Sequence, residues 1–237
     1  MKKLFVIFAL LSTFTHAQPI EFVVSASPGG PLDTSTRKIL EKIKTVSDMN
    51  IFVMNRPGAG HTIAYNYILN ATNPLMILAT DEVISTHDVI AHIDDTYTIG
   101  HFDIYVFASS KSNIESLSNI KNREVKFGAP GTGASSSYTT MNNLCNTLNC
   151  LKVPYKSGAE GMLGLMKGEI DLYALPAYGT SHYLQNDKIK LVHTIKNKEK
   201  NWLKLFTKNI SEKDKRTIVD ILSKQDIKFY SDLGFQK

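Results

Sequence analysis

The sequence has few residues of the kinds that define several common protein classes. Two cysteines among 237 residues cannot supply the disulfide framework of a small secreted domain or a four-cysteine zinc site. The strings that define a phosphate-binding P-loop, a G-x-S-x-G nucleophile elbow and an H-E-x-x-H zinc helix are all absent. No run of eighteen apolar residues occurs, so no transmembrane helix is predicted.

The first seventeen residues have the pattern of a secretory signal peptide. Lys2 and Lys3 give a basic start, the apolar run Leu4 to Leu11 is too short to span a bilayer, and Ala17 ends a cleavage-like triplet. We therefore predict a signal peptide over 1–17 and an exported, soluble mature chain. The alternative is a buried N-terminal helix or strand.

The basic residues are unevenly distributed. Loss of the signal peptide lowers the formal net charge from +5 to +3, and the segment from Asn186 to Arg216 holds ten basic and four acidic residues. Its lysines alternate with apolar residues and form no nucleic-acid motif. The segment indicates a solvated lysine-rich surface, and we expect no nucleic-acid partner.

The mature chain alternates short apolar runs with helix-like segments. Such alternation is typical of α/β folds with parallel strands and helical crossovers. The predicted strands are Ile20–Ala26, Ile51–Met54, Leu75–Ala79, Val125–Ala129, Leu151–Pro154, Ile170–Leu175 and Ile189–Thr194, with a β-like stretch at Thr96–Ala108. Helices are predicted between most of these, at Tyr178–Gln185, and in the tail from Trp202. We infer two α/β lobes, at 18–100 and 101–194, with the tail 195–237 returning to the first.

Two glycine-rich loops stand between a predicted strand and a predicted helix. Ser27–Gly30 precedes a helix with a start signal near Asp33, and Gly131–Ser137 is its counterpart in the second lobe. Glycine lets a backbone approach a ligand closely, and the N–H groups of helix N-termini attract anions. Two such ends facing each other would hold a carboxylate, although a glycine-rich turn is more often only a turn.

Two further groups of residues have ordinary explanations. His87, His92, Asp94 and Asp95 lie close in sequence, but their spacing does not suit one helix face, so a solvated loop is predicted and no metal site. Cys145 and Cys150 could pair in an oxidising compartment, or remain two buried thiols.

Five short segments, in order along the chain, have the pattern of known motifs. The segments are Pro28-Gly29-Gly30 with Asp33 and Arg37, Val53–Gly60 (V-x-N-R-P-G-A-G), Phe127–Ser135, Val153–Ala159 and Gly168–Leu172. They resemble motifs of one known family, the substrate-binding proteins of tripartite tricarboxylate transporters, also called Bug receptors. The Val53–Gly60 match is the most specific, and the resemblance extends over nearly the whole mature chain.

The resemblance implies a two-lobe α/β fold of the type 2 periplasmic-binding-protein kind, with a ligand cleft between the lobes. It also implies a periplasmic, monomeric receptor without cofactor or enzymatic activity, which binds a small organic carboxylate and delivers it to membrane subunits of a transporter. The implied ligand-binding residues are Pro28, Gly29, Gly30, Asp33, Thr80, Asp81, Gly131, Gly133, Ser135, Tyr155, Ser157 and Gly158. Asp171 is expected to be structural.

The sequence departs from the family pattern at several of these places. Ala134 and Ser137 replace a usual serine and histidine, His61 replaces a usual glycine, and Pro31-Leu32 replaces a usual small pair. These departures leave a second interpretation open, a carboxylate-sensing or partner-binding protein not coupled to uptake. A third is an exported hydrolase that uses Ser135.

Overall fold

The computed structural model describes residues 18–80, 90–120, 123–131, 135–196 and 201–236. The signal peptide predicted over 1–17 lies outside them. Ten strands within the described residues form two five-stranded sheets. The strands are β1 (Ile20–Val24), β2 (Ile51–Asn55), β3 (Leu75–Thr80), β4 (Asp94–His101), β5 (Ile104–Ser109), β6 (Val125–Pro130), β7 (Cys150–Tyr155), β8 (Leu172–Pro176), β9 (Ile189–Ile195) and β10 (Trp202–Lys208).

Both sheets combine parallel and antiparallel pairs. The first has the order β2-β1-β3-β10-β4, in which β1 is parallel to β2 and β3, and β10 runs antiparallel between β3 and β4. The second has the order β7-β6-β8-β5-β9, in which β6 is parallel to β7 and β8, and β5 is antiparallel to β8 and β9. The predicted α/β class is confirmed.

Six α-helices are described. They are α1 (Pro31–Val46), α2 (Thr62–Asn70), α3 (Ser136–Leu144), α4 (Gly158–Lys167), α5 (Glu212–Ser223) and α6 (Ile227–Asp232). Local sequence explains where they begin: Pro31 occupies the first position of α1, where its missing N–H costs nothing. The hydroxyls of Ser135 and Ser157 cap α3 and α4. No described helix is both long and apolar enough to cross a membrane.

The chain passes between the sheets at two neighbouring places. One is the pair Phe102-Asp103 between β4 and β5, and the other lies between β9 and β10. The N–H of Phe102 donates to the carbonyl of Asn201 over 2.9 Å, so the two passages are hydrogen-bonded to each other. One cluster of buried apolar side chains includes residues of both sheets, such as Val24 and Ala174.

Cys145 and Cys150 form a disulfide with a Cα–Cα distance of 5.4 Å. The bond joins the end of α3 to the first residue of β7.

The predicted helix beginning at Trp202 is wrong for its first seven residues, which form β10. Leu203 and Leu205 are buried while Lys204 between them is half-buried, an alternation with the period of two that belongs to strands. The helical part of the tail starts only at α5, where Ser211 accepts a hydrogen bond from the N–H of Asp214. β10 is the antiparallel strand that joins β3 to β4.

The predicted helix at Tyr178–Gln185 is also wrong, because a 3₁₀ turn at Ser181–Tyr183 takes its place. Gly179 has a positive φ of 67°, outside the right-handed helical region, and its N–H donates to the carbonyl of Leu233. Contact with the C-terminal segment therefore overrides local helix propensity here.

Replacing Gly161 with alanine should destabilise the protein, although alanine is the better helix former. A Cβ at Gly161, in the middle of α4, would overlap the ring of Tyr173, which is fully buried. Overpacking of this kind costs about 1–3 kcal/mol. In a protein of this size, each kcal/mol lost lowers the unfolding temperature by roughly 2–4 °C.

Thermal unfolding followed by circular dichroism tests this prediction. Leu163→Ala, at an exposed position of the same helix, is the matched control and should change the unfolding temperature little. An unfolding temperature of Gly161→Ala at or above that of the wild type would contradict the close packing described.

Candidate functional site

A cavity of about 710 Å³ lies between the two sheets. Its walls are the loops that follow β1 and β2 on one side and β6, β7 and β8 on the other, together with the end of β3. The carboxyl ends of the parallel strands of both sheets therefore face the same space. This is where ligands bind in open α/β sheets.

Four helices begin at the cavity wall. Lining residues include the N-cap positions of α1, α2, α3 and α4, namely Gly30, His61, Ser135 and Ser157. The N–H groups of a first helical turn lack partners within the helix, and the helix dipole adds partial positive charge there. Four such ends around one cavity make it favourable for an anion.

The residues expected to bind ligand fall into three groups. Lining the cavity are Gly30, Thr80, Gly131, Ser135, Tyr155, Ser157 and Gly158. Pro28, Gly29 and Asp33 do not line it. Asp81 and Gly133 lie outside the described residues. The cavity thus brings together residues of both lobes, and seven of the twelve predicted positions are among its walls.

Asp33 holds the β1–α1 loop in place. Its carboxylate is buried and accepts hydrogen bonds from the N–H of Gly29 (2.9 Å), from Asn55 Nδ2 (2.9 Å) and from Arg37 Nε (3.0 Å). Burial alone would raise the pKa of this carboxyl, but these hydrogen bonds outweigh it, so the pKa of Asp33 lies below its ordinary value. Asp33 joins the loop, α1 and β2 into one rigid unit.

The β2–α2 loop has an unusual backbone. Four successive residues have a positive φ: Gly58 (120°), Ala59 (48°), Gly60 (59°) and His61 (78°). Two of them are not glycine, and such residues are costly in this region, so the strain marks a segment that the surrounding fold holds in place. The backbone at His61 explains why glycine is the usual residue in the motif that this loop resembles.

The imidazole of His61 is held against the β1–α1 loop. Its Nδ1 lies 3.0 Å from the carbonyl oxygen and 2.9 Å from the hydroxyl oxygen of Ser25. The ring lines the cavity, so the departure at this position places an imidazole where the resembling motif has only a backbone.

The sequence does not predict one group of large, buried apolar and aromatic side chains in the cavity wall. We call it the cavity floor and define it as Leu32, Tyr65, Leu78, Leu175, Tyr178 and Leu203, all of which line the cavity and are less than a tenth exposed. Leu203 and Tyr178 lie in segments predicted as helices. Leu78 and Leu175 were assigned to strands, but an apolar residue near a strand end gives no sign of whether it faces the core or a cleft.

The cavity contains little formal charge. Among the described lining residues there is no Asp or Glu, and Lys156, which is exposed, is the only Lys or Arg. Within the described residues no group of His, Cys, Asp and Glu could hold a metal ion. Among the described wall residues, an anion would meet no negative charge, and a cation would find no carboxylate to pair with.

The two lobes touch beside the cavity, at Pro31. A Cβ at Gly158 would lie 2.9 Å from Pro31 Cδ, and one at Gly179 would overlap the carbonyl of Pro31. The first residue of α1 therefore fits between two glycines of the second lobe, and only residues without a side chain allow this approach.

Comparison with protein-family models finds no match. Among curated proteins, a UPF0065 protein of Bordetella pertussis is 22% identical over 203 residues, a match that covers 76% of this chain and 61% of the relative. The chain thus spans less than two thirds of that relative's length.

Several solved structures resemble this chain in fold over at least nine tenths of its length. The periplasmic binding protein BugD has a TM-score of 0.69 at 18% identity, covering 90% of this chain and 85% of its own. MatC from Rhodopseudomonas palustris, solved with bound malate, has a TM-score of 0.71 at 17% identity, covering 91% of this chain and 88% of its own. Rpa4515 from the same organism, solved with adipate, has a TM-score of 0.78 at 14% identity, covering 93% of this chain and 88% of its own. At the level of the fold, these likenesses confirm the predicted resemblance and the two-lobe architecture.

Proposed function

We propose that this protein is a solute-binding protein that captures a small organic carboxylate between its two lobes. The observation that carries the proposal is the start of four helices around one cavity whose described walls hold no acidic residue. Such a site binds a carboxylate through backbone N–H groups and hydroxyls, and charge-assisted hydrogen bonds of this kind are strong. Two neighbours in fold were solved with carboxylates, malate and adipate.

The geometry favours capture with lobe closure. The walls come from both lobes, so a ligand held by both would stabilise the arrangement in which Pro31 meets Gly158 and Gly179. The two passages between the sheets give the lobes a natural pivot.

We further propose that the protein is exported to the periplasm, acts as a monomer and delivers its ligand to the membrane subunits of a tripartite tricarboxylate-type transporter. The N-terminal pattern over 1–17 supports export, and the motif resemblance supports the transporter as partner. Deletion of the gene should then stop growth on the bound acid as carbon source. Unimpaired growth would favour a sensing or partner-binding role.

The hydrolase alternative receives no support at Ser135. Its hydroxyl donates to the carbonyl of Pro130 (3.1 Å) and accepts from the N–H of Tyr138 (3.1 Å), the pattern of a helix cap. A catalytic serine would instead donate to a general base.

Thermal unfolding against a panel of mono-, di- and tricarboxylates tests the proposed function. The protein is first unfolded and refolded to remove any bound ligand. An acid at a hundred times its Kd should add about 2.7 kcal/mol, a rise of several degrees at roughly 2–4 °C per kcal/mol. A refolded protein that no acid stabilises would contradict the proposal.

A further inference from the structure

The cavity floor contains a tyrosine hydroxyl that is open to the cavity and makes no hydrogen bond within the described part of the chain. Tyr178 is 8% exposed, lines the cavity, and its hydroxyl makes no hydrogen bond to any described residue. The other floor tyrosine differs, because the hydroxyl of Tyr65 is hydrogen-bonded to Ser25. A ligand that covers the Tyr178 hydroxyl without bonding to it would leave it buried and without a partner, at a cost of about 1–3 kcal/mol.

Packing fixes the position of the Tyr178 ring. It stacks on Phe235 with centroids 5.4 Å apart and an angle of 15°, and meets Phe102 edge-on at 4.6 Å and 87°. The hydroxyl is therefore held in one place before any ligand arrives, which lowers the entropic cost of using it for recognition. Burial raises the pKa of Tyr178, so the group stays neutral and can both donate and accept.

Apart from the hydroxyl of Tyr65, which is already hydrogen-bonded to Ser25, the rest of the floor is apolar. Its other members are four leucines and Tyr65, and the one lysine of the described wall is exposed. A carboxylate at the floor would lose its hydration and gain one neutral hydroxyl, which does not compensate for burying a charge. An alkyl end would leave the Tyr178 hydroxyl without a partner. A neutral oxygen or amide avoids both penalties.

We propose that Tyr178 determines specificity, by hydrogen-bonding a neutral polar group at the inner end of an organic acid whose carboxylate is held at the helix N-termini. The site then selects monocarboxylates that carry a hydroxyl, oxo or amide group over dicarboxylates and over simple fatty acids. This inference rests on the proposed function, because it takes the carboxylate site as given.

Calorimetric titration at pH 7 with two matched series tests the inference. One series is butanoate, 4-hydroxybutanoate and succinate, and the other is hexanoate, 6-hydroxyhexanoate and adipate. In at least one series the hydroxy acid should bind the wild type about tenfold more tightly than both other members, the value of one good hydrogen bond. Tyr178→Phe should reduce that preference to about twofold or less.

Unfolding of the unliganded variants separates recognition from structure. Tyr178→Phe should unfold at or above the wild-type temperature, because it removes a hydroxyl that has no partner. Tyr65→Phe, the matched control, should unfold at a lower temperature, because it removes a bonded one.

Three results would overturn the inference. The first two, a wild type that prefers the diacid or a Tyr178→Phe variant that keeps the preference for the hydroxy acid, would leave the proposed function intact. In the third, none of the six acids binds the wild type and the refolded protein also fails to respond to the wider carboxylate panel, so the proposed function falls together with the inference.

Discussion

Gly158→Val should abolish carboxylate binding while the protein remains folded. Gly158 is the first residue of α4 and lines the cavity, and a Cβ there would lie 2.9 Å from Pro31 Cδ and 3.2 Å from Leu175 Cδ2. A valine therefore pushes the two lobes apart at the point where they meet. Losing two charge-assisted hydrogen bonds in this way corresponds to about a hundredfold or more in affinity.

Calorimetric titration with the acid that most stabilises the wild type measures this effect. Ala159→Val is the matched control, since it also introduces a valine, one residue later, at a position that does not line the cavity. Gly158→Ala should fall between the two. Wild-type affinity in Gly158→Val would show that the ligand does not need the approach of the two lobes.

Asp33→Ala should lower the free energy of unfolding by about 2–4 kcal/mol, because it removes a buried carboxylate that accepts hydrogen bonds from three groups. In the variant, the N–H of Gly29 loses its hydrogen-bond acceptor, and Asn55 and Arg37 each lose one hydrogen bond. Ligand affinity should fall as well, although Asp33 does not line the cavity, because the β1–α1 loop is no longer held.

Urea unfolding of the two proteins tests the size of this effect. Asp48→Ala, which removes an exposed acid near the end of α1, is the control and should be nearly neutral. Equal midpoints for the wild type and Asp33→Ala would contradict the role assigned to this carboxylate.

The stabilisation by Asp33 should depend on pH in a defined direction. Its pKa is lower in the folded protein than in the unfolded chain, where Asp titrates near pH 4. The stabilisation is therefore complete above that pH and is lost as pH falls through the folded pKa. The stability difference between the wild type and Asp33→Ala should be constant from pH 5 to 7 and shrink below about pH 4. A difference that grows on acidification would contradict the assignment.

The parts of the fold that could be predicted have strong local signals. β1 is a continuous apolar run that ends at Pro28-Gly29-Gly30, and Pro31 then begins a helix. A buried parallel strand followed by a capped helix is determined by nearby residues, so the sequence alone predicts it.

The parts that were predicted wrongly depend on distant contacts. β10 exists because it pairs with β3 and β4, which lie more than a hundred residues earlier in the chain. The turn after Tyr178 follows from packing against Pro31 and Leu233. Neither contact is visible in a window of ten or fifteen residues.

The candidate site also has one part that the sequence predicts and one part that it does not. Glycine loops before helices predict an anion site at the strand ends, and residues of those loops do line the cavity. The cavity floor could not be predicted, because Tyr178 and Leu203 lie far apart in sequence and line the same cavity only through the packing of the two lobes.

A crystal structure of the protein with the acid that stabilises it most tests the central claim directly. We expect its carboxylate inside the cavity, within hydrogen-bonding distance of backbone N–H groups at the start of α1 and at the start of α3 or α4, so that both lobes contact it. A carboxylate bound outside the cavity, or paired only with an exposed side chain such as Lys156, would contradict the account.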